Sequence, residues 1–298
     1  MLFGLYAITI GRFRLQPPSA RLAADCAVAV LACVRLSGRG GIDDPLYTYG
    51  SNHLPQARDS GPMDAIHCFD NGVKVYDEHL VEAQRIRYAK CNVHEEDEEE
   101  LFLEMVGGLA PGARFVSLGT AIGYYVLLAK RVRPDLIVHC FEPLERHRNF
   151  LMANIKLNGF SDADFWVHDL AVAPGDTDYL LVDRSFGSFL VRPEDAGARP
   201  VSQVKSVALS KLGPCIGSDQ VDLVQMDVQG FEAAILEEFV SAAAGRLSVK
   251  AFLIGTHGEA IHKRCRSALV GAGYECLCDQ FHTVNQPDGI LAAMHKSG

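Results

Sequence analysis

The chain has 298 residues, 48% of them hydrophobic, and a formal net charge of −9. Length and composition describe a globular protein with one large domain, or a domain with an extension, rather than a disordered chain. The acidic balance argues against a groove that must neutralise nucleic-acid phosphates and against tight binding to anionic membranes.

Nine cysteines occur, an odd number with no C-x-x-C pair. Most sit in apolar runs, where a free thiol behaves as a small hydrophobe. That pattern points to a reducing, cytoplasmic setting without structural zinc. No stretch reaches the roughly 18–20 continuous apolar residues of a membrane span. Arg12 and Arg14 follow the apolar start of the chain, whereas a signal peptide carries its positive charge in front.

In chain order, residues 1–60 are rich in loop formers, including Pro17-Pro18 and the glycines at 38–41. They read as an extension, partly disordered, with one helix over 22–34. Residues 61–110 read as a hairpin and a helical cap. Asp70-Asn71-Gly72 separates two short apolar pieces, which predicts a hairpin over 67–76. Leu80, Ala83, Ile86 and Ala89 then recur at helical spacing, predicting a helix over 77–90. The acidic run 95–100 reads as the solvated first turn of a second helix, complementing its dipole, and Gly107-Gly108 ends it. Tyr76, His79, Arg85, Arg87 and Tyr88 are candidates for a substrate lid, and Ser185 to Phe189 for a second wall.

Residues 111–298 alternate between strand and helix patterns. Strands are predicted at 114–118, 136–141, 164–168, 178–182, 221–226, 249–255, 274–278 and 289–295. Helices are predicted at 124–132, 145–158, 231–243 and 260–272. Such alternation builds a parallel sheet with helices on both faces, and ligands then lie beyond the carboxyl ends of the strands. The first strand runs into Gly119 and Gly123, where an apolar helix begins. Glycine lets the backbone turn tightly and approach a ligand, and the helix start offers unpaired N–H groups. The next strand ends in Glu142, an acid placed for ribose hydroxyls or for capping the helix after Pro143. Strand, glycine turn, helix, strand and acid describe a nucleoside-binding unit. A third glycine at G-x-G-x-x-G spacing is absent, which disfavours a nicotinamide dehydrogenase.

Four blocks carry a family resemblance: Val116-Ser-Leu-Gly-Thr-Ala-Ile-Gly-Tyr-Tyr125; Cys140-Phe-Glu-Pro143 with Asn154-Ile-Lys-Leu-Asn-Gly159; Val221-Asp-Leu-Val-Gln-Met-Asp-Val-Gln-Gly-Phe-Glu232; and Thr256-His257. In this order and spacing the chain resembles the FkbM-type family of S-adenosylmethionine-dependent methyltransferases. The resemblance implies a Rossmann-like class I methyltransferase fold, an α/β architecture with a mostly parallel seven-stranded sheet whose last strand is reversed, helices on both faces, and here an N-terminal helical and hairpin extension. It implies methylation of an oxygen on a small molecule or sugar, with S-adenosylhomocysteine as product. The family usually has an acid where Ser117 stands, and Lys-x-Asp-x-Glu-Gly where Gln225, Asp227, Gln229 and Gly230 stand.

On that resemblance Ser117, Gly119, Thr120, Gly123, Tyr124, Glu142, Pro143, Asp169 and Asp227 are the candidate cofactor-binding residues. Asp169 is placed for the adenine amino group or is a plain turn residue. Asp227 and His257 are the candidate catalytic pair. Asp227 can orient the donor, act as base, ligate a metal or cap the following helix. Histidine titrates near pH 6.5, which suits a general base. His262 reads as a surface residue, and Glu232 as a first-turn acid. No metal ligand set is called for; magnesium is the one cation left open, with Gln229 a poorer ligand than a carboxylate. The expected partner is a small-molecule or sugar acceptor, without nucleic acid or membrane, and a homodimer is open. The alternative is a catalytically degenerate fold that binds a cofactor or a protein.

Overall fold

The computed structural model describes residues 65–175, 178–199, 201–242, 247–281 and 288–295. The helix expected at 22–34, with the rest of the extension to residue 60, lies outside them.

Strands β1 (Ile66–Cys68) and β2 (Lys74–Tyr76) form the predicted hairpin. Asn71 closes its turn, with Oδ1 accepting from the Val73 N–H at 2.9 Å. The helix expected over 77–90 is broken. A 3-10 turn at Asp77–His79 precedes α1 (Glu82–Tyr88), and Leu80 and Val81 between them are extended. The Gln84 side chain accepts from the Val81 N–H at 3.1 Å and starts the helix there. Helix α2 (Glu96–Gly107) follows and stops at Gly108.

The alternating core begins at β3 (Arg114–Leu118), followed by α3 (Tyr124–Val132), β4 (Ile137–Phe141), α4 (Glu145–Leu157) and β5 (Phe165–His168). Short strands β6 (Ala171–Val172), β7 (Tyr179–Val182), β8 (Phe189–Val191), β9 (Val201–Val204) and β10 (Ser206–Val207) come next. The chain continues through α5 (Gly213–Ile216), β11 (Gln220–Met226), α6 (Glu232–Ser241), β12 (Ser248–Thr256), α7 (Glu259–Gly271), β13 (Tyr274–Gln280) and β14 (Gly289–His295).

The central sheet has the order β5-β4-β3-β11-β12-β14-β13. Neighbours from β5 through β12 pair in parallel, and β14 runs antiparallel to both β12 and β13. The mostly parallel sheet with a reversed last strand, implied by the resemblance, is therefore present. Side chains alternate between its faces. Phe115, Leu223 and Leu253 pack with α2, α3 and α4 on one side; Val116, Val224 and Phe252 pack with α6 and α7 on the other. All six are fully buried.

The segment expected at 178–182 does not join this sheet. As β7 it pairs antiparallel with β8 and β9 in a separate three-stranded sheet. The chain reverses directly after it. Asp183 Oδ1 accepts from the Ser185 N–H at 3.0 Å, and Ser188 Oγ from the Arg184 N–H at 2.9 Å. A return this short can make only an antiparallel pair. Among the described residues no helix is long and apolar enough to cross a membrane.

Truncating Phe115 to Ala removes a ring enclosed by sheet and helices, and is expected to cost about 3–5 kcal/mol of stability. Trp166→Ala, at a ring 60% exposed, is expected to cost under about 1 kcal/mol. Urea unfolding of both variants checks the contrast.

Candidate active site

The carboxyl ends of β3, β4, β11 and β12 lie side by side, and the loops leaving them meet. Gly119 adopts φ 78°, and a Cβ on it would run into the backbone carbonyl of Asp227. The Asp227 N–H donates to Leu118 O at 3.0 Å. Glycine here brings the ends of β3 and β11 into contact, a packing reason beside the ligand approach expected of it. Gly123, at φ 92°, packs in the same way on Leu151. Between them Ala121 is also left-handed, at φ 48°. Its N–H donates to Glu142 Oε2 at 2.8 Å.

Glu142 is buried, and its Oε1 accepts from the Leu144 N–H at 2.9 Å. One carboxylate thus ties the glycine turn to the start of α4, with half-buried Pro143 between. His147 Nδ1 stands 3.7 Å from the same Oε1; a carboxylate has about four acceptor positions, so the two backbone bonds leave room for further donors. The Thr120 hydroxyl donates to Ser117 O at 3.2 Å. The Ser117 hydroxyl, also buried, donates to Gln225 Oε1 at 2.9 Å across the β3–β11 pair. Tyr124 is turned towards the cap: its hydroxyl donates to Glu99 and accepts from Asn71 Nδ2 at 2.7 Å. Burial and the Glu99 hydrogen bond push its pKa up. Asp169 is exposed, 3.8 Å from Lys205. The structure thus gathers Gly119, Glu142 and Asp227 towards one edge; the hydroxyls of Ser117, Thr120 and Tyr124 bond other protein groups, and Asp169 stands exposed just after β5.

At that edge Glu232 has no exposed surface. It accepts from the Gly230 N–H at 3.0 and 3.1 Å, from the Val228 N–H at 3.3 Å, and from His257 Nδ1 at 2.8 Å. The first-turn acid of the sequence reading is thus the residue that holds His257. Nε2 of His257 faces Asp227 Oδ1 and Asp288 Oδ1, each at 3.5 Å. Gln229, at φ 56°, donates from Nε2 to Asp227 Oδ1 at 2.9 Å. Asp227 does not cap α6; Phe231 occupies that place.

Burial opposes charge on His257. The Glu232 hydrogen bond and the charges of Asp227, Glu232 and Asp288 outweigh it and push the pKa up to about 10. Burial pushes Asp227 up to about 6, with His257 pulling down and Asp288 and Glu232 adding to the rise. At neutral pH His257 therefore holds its proton, while Asp227 sits near its own titration point.

The cap brings more acid to the same place. Glu95, Glu98 and Glu99 are buried, so the run read as solvated is largely internal. A Cβ on Gly255 would stand 3.6 Å from Glu98 Oε2 and 3.9 Å from Asp227. Burial, with Glu98, Asp227 and Asp288 as neighbouring charges, raises Glu95 well above the carboxylate range. Of the lid candidates, Arg87 alone is placed with its charge felt by Glu95 and Asp288. Arg85 pairs with Asp77 at 2.8 Å, His79 stacks on Phe150, and the Tyr88 hydroxyl meets His94 Nδ1. His262, expected at the surface, is buried between Thr256 Oγ1 at 2.7 Å and Asp279 Oδ1 at 2.9 Å.

Donor atoms of Asp227, Glu232 and His257 lie within 4.8 Å of one another, a group able to hold a cation. The sequence reading missed Asp288, which no motif marks; it directly precedes β14.

No family model and no curated protein matches the sequence. Among solved structures, magnesium protoporphyrin IX methyltransferase from Synechocystis PCC 6803, with bound SAM, is similar over 73% of this chain and 86% of its own, at 12% identity and a TM-score of 0.45. TYW2 of M. jannaschii in complex with AdoMet is similar over 80% and 88%, at 13% identity and 0.43. Precorrin-6y C5,15-methyltransferase from Geobacter metallireducens GS-15 is similar over 74% and 96%, at 12% identity and 0.41.

The raised pKa of His257 fixes the sign of a pH effect. The folded protein keeps a proton that the unfolded chain releases above about 6.5, so this stabilisation is full below that pH and is lost as pH rises through about 10. Unfolding midpoints should fall from pH 7 to pH 10, and fall less in His257→Gln. Urea titrations across that range, without divalent ions, check it.

Proposed function

We propose that the chain is a methyltransferase of the FkbM type, using S-adenosylmethionine to methylate a hydroxyl on a small molecule or glycoside. The observation that carries the reading is the convergence of the glycine turn, Glu142, Asp227 and His257 at the carboxyl edge of neighbouring parallel strands. Ligands of open α/β sheets lie there.

The residues present fit the donor. Glu142 retains acceptor capacity for two ribose hydroxyls after its two backbone bonds. The acidic groups Glu232 and Asp288 around His257, beside Asp227, favour a group that carries sulfonium and ammonium charge. Bound there, the donor would supply a methyl group already activated by its sulfonium, so the protein's task is alignment and deprotonation.

Deprotonation falls to Asp227 rather than to His257. A proton acceptor works best when its pKa lies near the working pH, and Asp227 is held near 6 while His257 is already protonated. His257 remains beside it as a positive charge, fixed in direction by Glu232. Gln229 holds the carboxylate in place through its amide. The net charge of −9 favours a small neutral or glycosidic acceptor over a polyanion.

Titration calorimetry with S-adenosylmethionine and, separately, NAD tests the donor site. Micromolar binding of the first and none of the second is expected, with Glu142→Gln weakening it at least about tenfold through loss of charge-assisted bonds. Absence of methyl-donor binding would sink the reading. With an acceptor found by labelled-donor turnover, Asp227→Asn should lower kcat by about 10²–10⁴ while donor affinity changes far less.

A further inference from the structure

His257 is aimed at something other than a hydrogen bond. Its side chain is 8% exposed, and Nε2 is buried without a hydrogen-bond partner. Asp227 Oδ1 and Asp288 Oδ1 each stand 3.5 Å away. That separation is long for a hydrogen bond, whose N–O distance is about 2.7–3.2 Å. It matches the edge of a coordination shell: two donors each about 2.1 Å from a tetrahedral ion stand roughly 3.4 Å apart. The other ring nitrogen is held at 2.8 Å by Glu232, a carboxylate fully buried and further fixed by the Val228 and Gly230 N–H groups. A ring whose second nitrogen donates to a buried carboxylate is the usual support of a metal-bound histidine.

We propose that Asp227 and His257 Nε2 bind a divalent cation in exchange for the Nε2 proton, which is released to solvent, with Asp288 Oδ1 drawn in as the third ligand and Glu232 as the positioning residue behind His257. Two carboxylates and one imidazole suit manganese, iron or zinc, and suit magnesium less well because of the nitrogen. Asp227 is 32% exposed and Asp288 15%, so the ion is reachable from solvent and keeps positions for water or an acceptor oxygen. Arg87 near Asp288 and Glu95 compensates part of the negative charge. Glu98, whose Oε2 stands beside Gly255 together with Asp227, adds a further acidic group.

The site goes beyond the methyl-transfer reading and does not depend on it. If both hold, the ion lies where the acceptor hydroxyl must lose its proton, and it lowers the pKa of that hydroxyl directly, with Asp227 a ligand instead of the base.

The test is titration of the chelator-stripped full chain with Mn²⁺, following the loss of the free-ion EPR signal. One ion per chain with micromolar affinity is expected. Asp288→Asn and His257→Gln should each weaken it at least about tenfold, and Glu232→Gln by about 10- to 100-fold. Asp162→Asn, at an exposed surface pair, should leave it unchanged. Circular dichroism melts identify variants that fail to fold, and Asp288→Asn, outside the buried Glu232–His257 pair, keeps the test decisive if His257→Gln does. Binding no tighter than millimolar, or binding that Asp288→Asn and His257→Gln do not alter, overturns the site. Methyl-donor affinity is measured on the same stripped protein. Donor binding without Mn²⁺ binding sinks the ion alone, and Mn²⁺ binding without donor binding sinks only the methyl-transfer reading.

Discussion

A carboxylate with no access to water must find all its partners inside, and the site is arranged around the partners of Glu232. It takes the N–H groups of Val228 and Gly230 and the Nδ1 proton of His257. Those three bonds define the loop after β11 and fix the imidazole after β12 together. Buried donors left without acceptors cost about 1–3 kcal/mol each, so loop shape and ring direction are linked through one side chain. The loop is strained to suit: Gln229 and Gly230 are both left-handed. For a non-glycine residue that conformation costs on the order of 1–3 kcal/mol and persists only where its surroundings impose it. Here the imposed geometry turns the Gln229 amide onto Asp227.

The alternating strands and helices of residues 114–295 were legible because β3, β4, β11 and β12 bury both faces and α4, α6 and α7 bury one. What was not legible depends on contacts between distant segments. The segment 179–182 has the same apolar pattern as a central strand, but the side-chain bonds of Asp183 and Ser188 turn it back on its own sheet. The acidic run of α2 carries the signature of a solvated helix start. Glu95 and Glu99 are instead met by the hydroxyls of Tyr125 and Tyr124 on α3. His262 reads as a surface residue for a related reason, since its burial comes from Thr256 and Asp279 on two separate strands. Asp227 and His257 stand out in the sequence because they end predicted strands. The placing of Glu232 and Asp288 beside them is set by the neighbours they meet and carries no such mark.

Two residues that depart from the pattern the chain resembles, Ser117 and Gln225, meet each other in the structure. Ser117 and Gln225 are register partners on β3 and β11, and they satisfy each other at 2.9 Å with both side chains buried. A hydroxyl and an amide that bond each other leave no buried orphan. Gln229 fits the same logic: an amide can donate to Asp227, whereas a carboxylate there would only repel it.

The reversed strand explains how Asp288 reaches the site at all. Parallel strands present their carboxyl ends to the ligand edge, which is where Asp227 and His257 arise. A strand running the other way presents its amino end there. Thr256 of β12 is paired with Gly289 of β14, so the residues just beyond that pair, His257 and Asp288, face each other off the end of the ladder. A Cβ on Gly289 would crowd Thr256 Oγ1 and His262 Nδ1, so glycine permits the close approach of the two strands. Had β14 run parallel, its opposite end, at His295, would occupy this edge, and the carboxylate opposite His257 would be absent. The single antiparallel strand thus supplies the third group of the cluster, and the register at Thr256 sets its distance from the imidazole.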